Sequence, residues 1–465
     1  MAARFINVDR ATPMLLPVDM REWVPDNDMV HFVLEAVDNI DLGEARVNWR
    51  GTGNAQYPPS MMVALLIYCY CHGIFSSRKI EKATYRDVAV RYLTGDTHPD
   101  HDTIATFRRR NGRLFERCFV QVLEMACEVG VLKLGTVSID GTKMKANANK
   151  YRNVTYVRCQ ELLEELEKEV KELVKRSEQV DAKEKDNADE LPKKLRGAKN
   201  LKRKLERAKA VMERRAKARF AKQQQAYEAK LKAREQREGR RKGGVPKPPS
   251  DEGPKPTDRV NLTDEDSRLM RPSKNSSYVQ AYNPQAVVDA DGTQLVVGAR
   301  VSVCANDKNE LEEDLERVPE SLGQPERVLV DNGYENMDQI EKIEKGQGEE
   351  KGPKVYCSMG RGRERWRARH DLKSSKPQKP PKEIKEVRRQ AMAKRMDSES
   401  AKEIYKKRQQ TVEPVFGIIK EVLGFRRFHL RGFSKVETEW QLVCLSYNFK
   451  RLFNLMENKS GLKIT

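Results

Sequence analysis

Apolar positions up to about residue 130 follow helical spacing. Met61–Cys71 is an unbroken apolar run entered through Pro58 and Pro59, residues suited to a helix start. It gives way to Gly73 and Ser76-Ser77, which predict a joint between two helices. In PDHDTIATFRRRNGRLFERCFVQVLEMACEVG, Ile104, Phe107, Leu114, Phe115, Cys118, Phe119 and Leu123 form a stripe that faces a core. Asp102 or Thr103 is the expected N-cap of that segment. From Val131 the pattern shortens, and VSID reads as a strand that ends at Asp140 and turns at Gly141.

Residues 156–242 are a different material. Leu163, Leu166, Val170 and Leu173 keep a 3–4 spacing, as do Leu201, Leu205, Ala208 and Met212, with a break around Asp186–Pro192. A helical hairpin or coiled-coil insertion fits best, followed by a flexible Pro/Gly linker over 243–256. Sheet-like sequence resumes in SYVQAYNPQAVVDADGTQLVVGARVSV, two β-rich runs joined at Asp291-Gly292. A helix over Asn309–Arg317 and a buried strand, RVLVD, ending at Asp331 come next. The basic stretch 346–395 reads as loop and surface helix, and two helical stretches near 398–423 and 435–456 close the chain.

Composition narrows the function classes. A chain of 465 residues predicts several units at about 100–200 residues per domain. The net charge of +19 favours a polyanionic partner, nucleic acid first. That charge is not spread evenly: residues 191–250 hold 22 Lys+Arg against 5 Asp+Glu, which leaves the remainder nearly neutral. The N-terminus lacks a basic region followed by an apolar one, so no secretory signal is expected. No apolar run approaches the roughly 18–20 residues needed to span a bilayer. Eight cysteines without a CxxC pair fit free thiols in a reducing cytoplasm. The six histidines form no HExxH, and His98 and His101, with Pro99 between them, read as loop rather than zinc ligands.

Three acidic residues carry the candidate chemistry. Asp140 ends one apolar strand, Asp331 ends another, and Glu413 lies where Pro414 marks a first helical turn. Strand-end aspartates and a helical glutamate can converge at the carboxyl edge of a mixed sheet, where ligand sites of such folds gather. Three convergent carboxylates repel one another unless cations lie between them, and Mg²⁺ is the usual cation of oxygen-rich sites serving phosphates. Strand-end aspartates also serve as ordinary turn and cap residues. Near Glu413, Tyr405 and Arg408 share one helical face, and Glu413, Phe416, Gly417 and Lys420 another. Lys420 suits a phosphate held beside the carboxylates, or an ordinary surface lysine.

At this point the chain resembles the bacterial insertion-sequence DDE transposases, most closely the insertion sequence 1182 type, related to the wider insertion-sequence 4/5 transposases. The resemblance runs through LLPVDMREWVPDNDMVHFV, YPPSMMVALLIYCYCHGIFSSRKIEKA, PDHDTIATFRRRN, VSIDGTKMKANANK, NLTDEDSRLM, YNPQAVVDADG, VLVDNGYEN, VEPVFGIIK and FHLRGFSKVETEWQLVCLSYNFKRL. It implies an α/β RNase H-like catalytic core with an N-terminal α-helical domain and a long, coiled-coil-like helical insertion after the first core strand. It also implies that Asp140, Asp331 and Glu413 are the catalytic, metal-binding triad of a two-metal Mg²⁺ site, with Mn²⁺ as a substitute. The family marks its third block with Tyr, Arg, Glu and Lys, here Tyr405, Arg408, Glu413 and Lys420; four residues rather than three separate Arg408 from Glu413.

The expected organisation is a DNA-binding helical domain over 1–130 and a catalytic core over 131–155 and 265–456. A basic helical insertion with linker occupies 156–264, and a tail 457–465. The expected activity is metal-dependent DNA strand cleavage at transposon ends, followed by transfer of the 3′-OH into target DNA. The alternative is a domesticated or inactive relative that binds DNA, and a purely structural coiled-coil protein leaves the strand-end aspartates unexplained. Partners are double-stranded transposon ends and target DNA, with a homodimer on DNA and no membrane; the location is the bacterial cytoplasm, on the nucleoid. Arg78, Lys79, Arg108, Arg109 and Arg110 are the expected DNA contacts of the helical domain, and Tyr405, Arg408 and Lys420 those of the core.

Overall fold

The computed structural model describes residues 19–47, 55–181, 190–235, 245–249, 253–273, 275–346, 351–359 and 386–458. The expected break near Asp186, part of the Pro/Gly linker, most of the basic stretch 346–395 and the end of the C-terminal tail lie outside these residues.

The helical region holds α1 (Met29–Asp38), α2 (Pro59–Cys71), α3 (Ser77–Arg86), α4 (Val88–Leu93), α5 (His101–Arg110) and α6 (Gly112–Glu128). Every residue of α2 from Met62 to Cys71 is buried, as befits a helix apolar all round. The N-cap of α5 is Asp100, whose carboxylate accepts from the amides of Asp102 and Thr103, rather than either of those two residues. A long final helix, which is α14 below, packs on α2: Lys450 donates to the Cys71 carbonyl at 3.0 Å, and the Cys71 thiol to the Ser446 carbonyl. Apolar side chains of these helices and of the sheet form one continuous core.

The strands are β1 (Thr136–Gly141), β2 (Met144–Lys145), β3 (Asn153–Thr155), β4 (Arg259–Asn261), β5 (Arg268–Met270), β6 (Val279–Asp289), β7 (Val296–Ser302), β8 (Arg327–Val330) and β9 (Lys354–Cys357). Five of them make the central sheet in the order β7-β6-β1-β8-β9. β6 runs antiparallel to both β7 and β1, whereas β1, β8 and β9 are parallel. β2 and β5 extend the sheet along the first half of β6. The β6–β7 hairpin turns at Gly292, whose φ of 126° suits glycine. β9 corrects the reading of 346–395 as loop and surface helix. Its Val355, Tyr356 and Cys357 are buried and complete the parallel edge.

Between β3 and β4 the chain leaves the sheet as α7 (Tyr156–Asp181) and α8 (Glu190–Glu235). The two helices are antiparallel: Tyr156 bonds Glu213, Cys159 bonds the Leu205 carbonyl, and Lys202 pairs with Glu167 at 2.9 Å. With Val154 of β3 and Val260 of β4 they close an apolar cluster around Leu166, Leu173, Leu205, Ala208 and Met212, separate from the main core.

After β7 come α9 (Leu311–Leu315), shorter than the helix expected over Asn309–Arg317, and α10 (Met337–Lys345). Four helices finish the chain: α11 (Val387–Asp397), α12 (Glu399–Gln409), α13 (Val412–Gly417) and α14 (Phe433–Asn458). A π-helical turn, Ile418–Val422, continues α13. α14 lies across the sheet, with the Trp440 indole donating to the Gln285 carbonyl at 2.9 Å and Asn448 bonding both backbone groups of Val296.

Candidate active site

β1 and β8 are hydrogen-bonded in parallel, with Val137 opposite Val328 and Ser138 opposite Leu329. Continuing that register two residues sets Asp140 beside Asp331, at the carboxyl ends of the two central strands. Asp140 Oδ1 accepts from the Gly141 amide at 2.8 Å. Asp331 caps the 3-10 turn Asn332–Tyr334, its Oδ1 accepting from the Gly333 amide at 2.7 Å. Each aspartate is therefore held by one oxygen and leaves the other free to face its neighbour.

What those oxygens face is Arg408, on α12. Its Nη2 donates to Asp140 Oδ2 at 2.9 Å and lies 4.0 Å from Asp331 Oδ2. Its Nη1 lies 3.4 Å from Glu413 Oε1, in the first turn of α13. Thr411, with φ −114° and ψ −84°, breaks the chain between the two helices. Helical-face counting from Arg408 to Glu413 therefore does not apply, and the extra residue between them is accommodated at the break. Side-chain exposure rises from 8% at Arg408 through 20% at Asp140 and 39% at Asp331 to 57% at Glu413, so the site opens to solvent on the glutamate side.

The electrostatics follow from that burial. Desolvation pushes the Asp140 carboxyl up to about 6, opposed by Arg408 and reinforced by Asp331. Burial works against the Arg408 charge, yet Asp140, Asp331 and Glu413 together hold it above its ordinary value. Lys420, on the π-helical turn, donates to Thr142 Oγ1, two residues beyond Asp140. Burial lowers its pKa. Tyr405 donates to the Val330 carbonyl at 2.9 Å, fastening α12 to the strand that presents Asp331.

The donor set fits a hard divalent cation in kind: three carboxylates, all oxygen, with no thiol or imidazole among them. Its spacing is set around a guanidinium, and among the described residues no three acidic, histidine or cysteine side chains close on one point.

Two models of known families match this chain. The transposase domain (DUF772) matches residues 18–110, and the transposase DDE domain matches residues 245–449. The chain carries the DDE domain of a DNA transposase. No curated protein and no solved structure matches it. The DDE match implies an RNase H-like core, in keeping with the mixed five-stranded order of the sheet.

The transposase brings Asp140, Asp331, Glu413, Arg408, Tyr405 and Lys420 to one sheet edge. Arg78, Lys79, Arg109 and Arg110 are exposed on the helical region. Arg108 corrects the expectation of a DNA contact. It is buried, and its guanidinium is spent on the Tyr70 hydroxyl and the Phe75 carbonyl, both at 2.7 Å. Helical spacing alone could have found this, because Ile104 and Arg108 are four apart on the core face.

A polar layer beneath the site escaped sequence reasoning. Gln285, opposite Gly141 on β6, donates to Asp307 Oδ1 at 2.8 Å and accepts from the Tyr334 hydroxyl. Asn283 and Lys143 also bond Asp307, at 2.6 and 3.3 Å. Only strand pairing brings these residues together, so no local spacing announces them.

Proposed function

We propose that this transposase, of the insertion sequence 1182 type, cleaves DNA at the ends of its element and joins the freed 3′-OH to target DNA. The observation that carries the reading is the convergence of Asp140, Asp331 and Glu413, from two strands and a helix, on a single cationic centre. Asp140, Asp331 and Glu413 would hold Mg²⁺, or Mn²⁺ in its place, and the metal pair would supply Lewis-acid activation of the attacking and leaving oxygens. The parallel register of β1 and β8 fixes the separation of the two aspartates, and Gly333 and Gly141 amides orient their carboxylates. Lys420 stands beside Thr142, at the carboxyl end of the same strand, where its ammonium can bind the phosphate under attack. Tyr405 and Arg408 act through position: one ties α12 to β8, the other neutralises the carboxylates when no metal is bound.

The organisation that goes with this reading is a DNA-binding region over 1–130, a core over 131–155 and 265–456, and an inserted helical unit over 156–264. Arg78, Lys79, Arg109 and Arg110 would contact DNA phosphates, which set affinity rather than sequence choice. Action on two ends calls for a homodimer on DNA in the bacterial cytoplasm.

The test uses the purified chain, Mg²⁺ and linear DNA carrying the sequences that flank the coding region. Asp140→Asn, Asp331→Asn and Glu413→Gln should each lower cleavage at least about 10³-fold, with duplex binding retained. Cleavage at the wild-type rate by any of the three would overturn the assignment.

A further inference from the structure

A second polar cleft, of about 470 Å³, lies between the helical region and α14. Arg46, Arg109, Arg110, Arg113, Arg317 and Lys435 line it, together with Glu44, Glu116 and Glu437. Arg317 answers two of the acids, at 3.1 Å from Glu437 and 3.8 Å from Glu116. Arg46, Arg109, Arg110, Arg113 and Lys435 are exposed and make no ion pair among the described residues. Five unpaired cations thus share one cleft with one remaining carboxylate, Glu44.

Helix dipoles account for only part of this. Arg109 and Arg110 end α5, where cations are favoured. Arg113 and Lys435 do the opposite. They sit in the first turns of α6 and α14, where the dipole favours an anion and a cation is out of place unless an anion joins it. The two helix starts are packed tightly: a Cβ on Gly112 would come within 2.6 Å of Thr438 Oγ1. Arg46 is brought in by its own amide, which donates to Asn111 Oδ1 at 2.7 Å. Exposed cations from α5, α6, α14 and the segment of Arg46 therefore line one cleft at two helix N-termini, a setting that suits phosphate oxygens.

We infer that this cleft binds the phosphodiester backbone of duplex DNA, with Arg46, Arg113 and Lys435 as contacts that join the helical region to the core. The inference rests on the transposase reading for the identity of the polyanion. Lys435 and Trp440 lie on the same helix, and Trp440 bonds the carbonyl of Gln285, the residue paired with Gly141 next to Asp140. DNA seated in the cleft is thereby registered against the strand that carries the proposed catalytic aspartate.

Binding of a fluorescein-labelled mixed-sequence duplex to the full chain, followed by anisotropy over a range of KCl concentrations, tests this. The triple variant Arg46→Gln/Arg113→Gln/Lys435→Gln should bind at least about tenfold more weakly, and its log–log salt slope should be shallower by about 2–3, near 0.9 per lost phosphate contact. The single variants Arg113→Gln and Lys435→Gln, which remove exposed side chains, should each flatten the slope by about 1 and keep the inference testable if the triple variant misfolds. An unchanged affinity and slope would overturn it. So would a change in sedimentation with an unchanged salt slope, because the occupant would then be an acidic segment of a second copy. A wild-type chain that binds duplex with this slope yet never cuts DNA would sink the cleavage reading and leave the cleft standing. Cleavage with cation-independent binding would do the reverse.

Discussion

Arg408 and Asp140 are 268 residues apart in sequence and 2.9 Å apart in the folded chain, joined by a charge-assisted hydrogen bond. The same guanidinium faces Asp331 and Glu413, so one arginine offsets the mutual repulsion of three carboxylates. Removing one partner of such a buried group leaves the other charges uncompensated. Arg408→Gln should therefore lower the melting temperature of the metal-free protein. Added Mg²⁺ should restore more of it than it adds to wild type, because ligand binding to the folded state stabilises it by RT ln(1 + [L]/Kd). Thermal melts with and without Mg²⁺ decide the matter; an equal metal-induced shift in both proteins would contradict this role.

Gly141 is boxed in by the polar layer beneath the site. A Cβ there would lie 2.3 Å from Gln285 Nε2 and 2.8 Å from Asp307 Oδ1. Gly141→Ala should destabilise the protein by about 1–3 kcal/mol through overpacking and displace the neighbouring Asp140. Gln285→Ala in the same chain should recover part of both stability and cleavage. A double variant no better than Gly141→Ala would show that the clash lies elsewhere.

The Arg300 cluster gives a pH dependence of its own, distinct from that of the three carboxylates. Arg300 pairs with Glu310, Glu313 and Asp314, the last at 2.8 Å. Burial pushes Asp314 up to about 7 from an ordinary 3.8, against the pull of Arg300. Its proton is therefore retained in the folded state over a window in which the unfolded chain has released it. Stability from this group is complete below about pH 4 and is lost as pH rises through about 7. Denaturant midpoints for wild type and Asp314→Asn should diverge in that direction across the window. Parallel curves would remove Asp314 as the cause.

The α7–α8 hairpin should be dispensable for the fold. Its apolar cluster is separate from the main core and takes in Val154 of β3 and Val260 of β4, strands already paired where it departs and returns. A chain in which a short Gly/Ser turn joins Thr155 to Arg259 should keep its sheet and melt within a few degrees of wild type. Loss of folding would show that the hairpin supports the core. Sedimentation of the same deletion reads its part in assembly, since a retained dimer places the interface elsewhere.

Much of this architecture is written locally. VSID and RVLVD are near-continuous apolar runs, which central parallel strands require, so Asp140 and Asp331 stand out as their ends. The hairpin at Asp291-Gly292 and the heptad spacing of α7 and α8 are equally local. β9 is not: KVYC is four residues inside a basic stretch, and only pairing with β8 makes it a strand. Asp100 outcompetes Asp102 and Thr103 as a cap because the chain enters α5 one turn earlier than its apolar stripe begins. The basic triplet at 108–110 looks uniform in sequence, yet the helix turns its first member inward. Gln285, Asp307 and Trp440 belong to contacts that cross the sheet, where no spacing rule reaches.

The two aspartates lie at the carboxyl ends of adjacent, hydrogen-bonded strands about 4.8 Å apart, a spacing set by the backbone. Glu413 is mounted differently, on a six-residue helix between the break at Thr411 and the π-helical turn that carries Lys420. Val412 and Val415 are fully buried on that short helix and anchor it to the core, while the Glu413 side chain beside them faces solvent. Two jaws of the vice are cast in one piece, and the third is bolted on from a separate element.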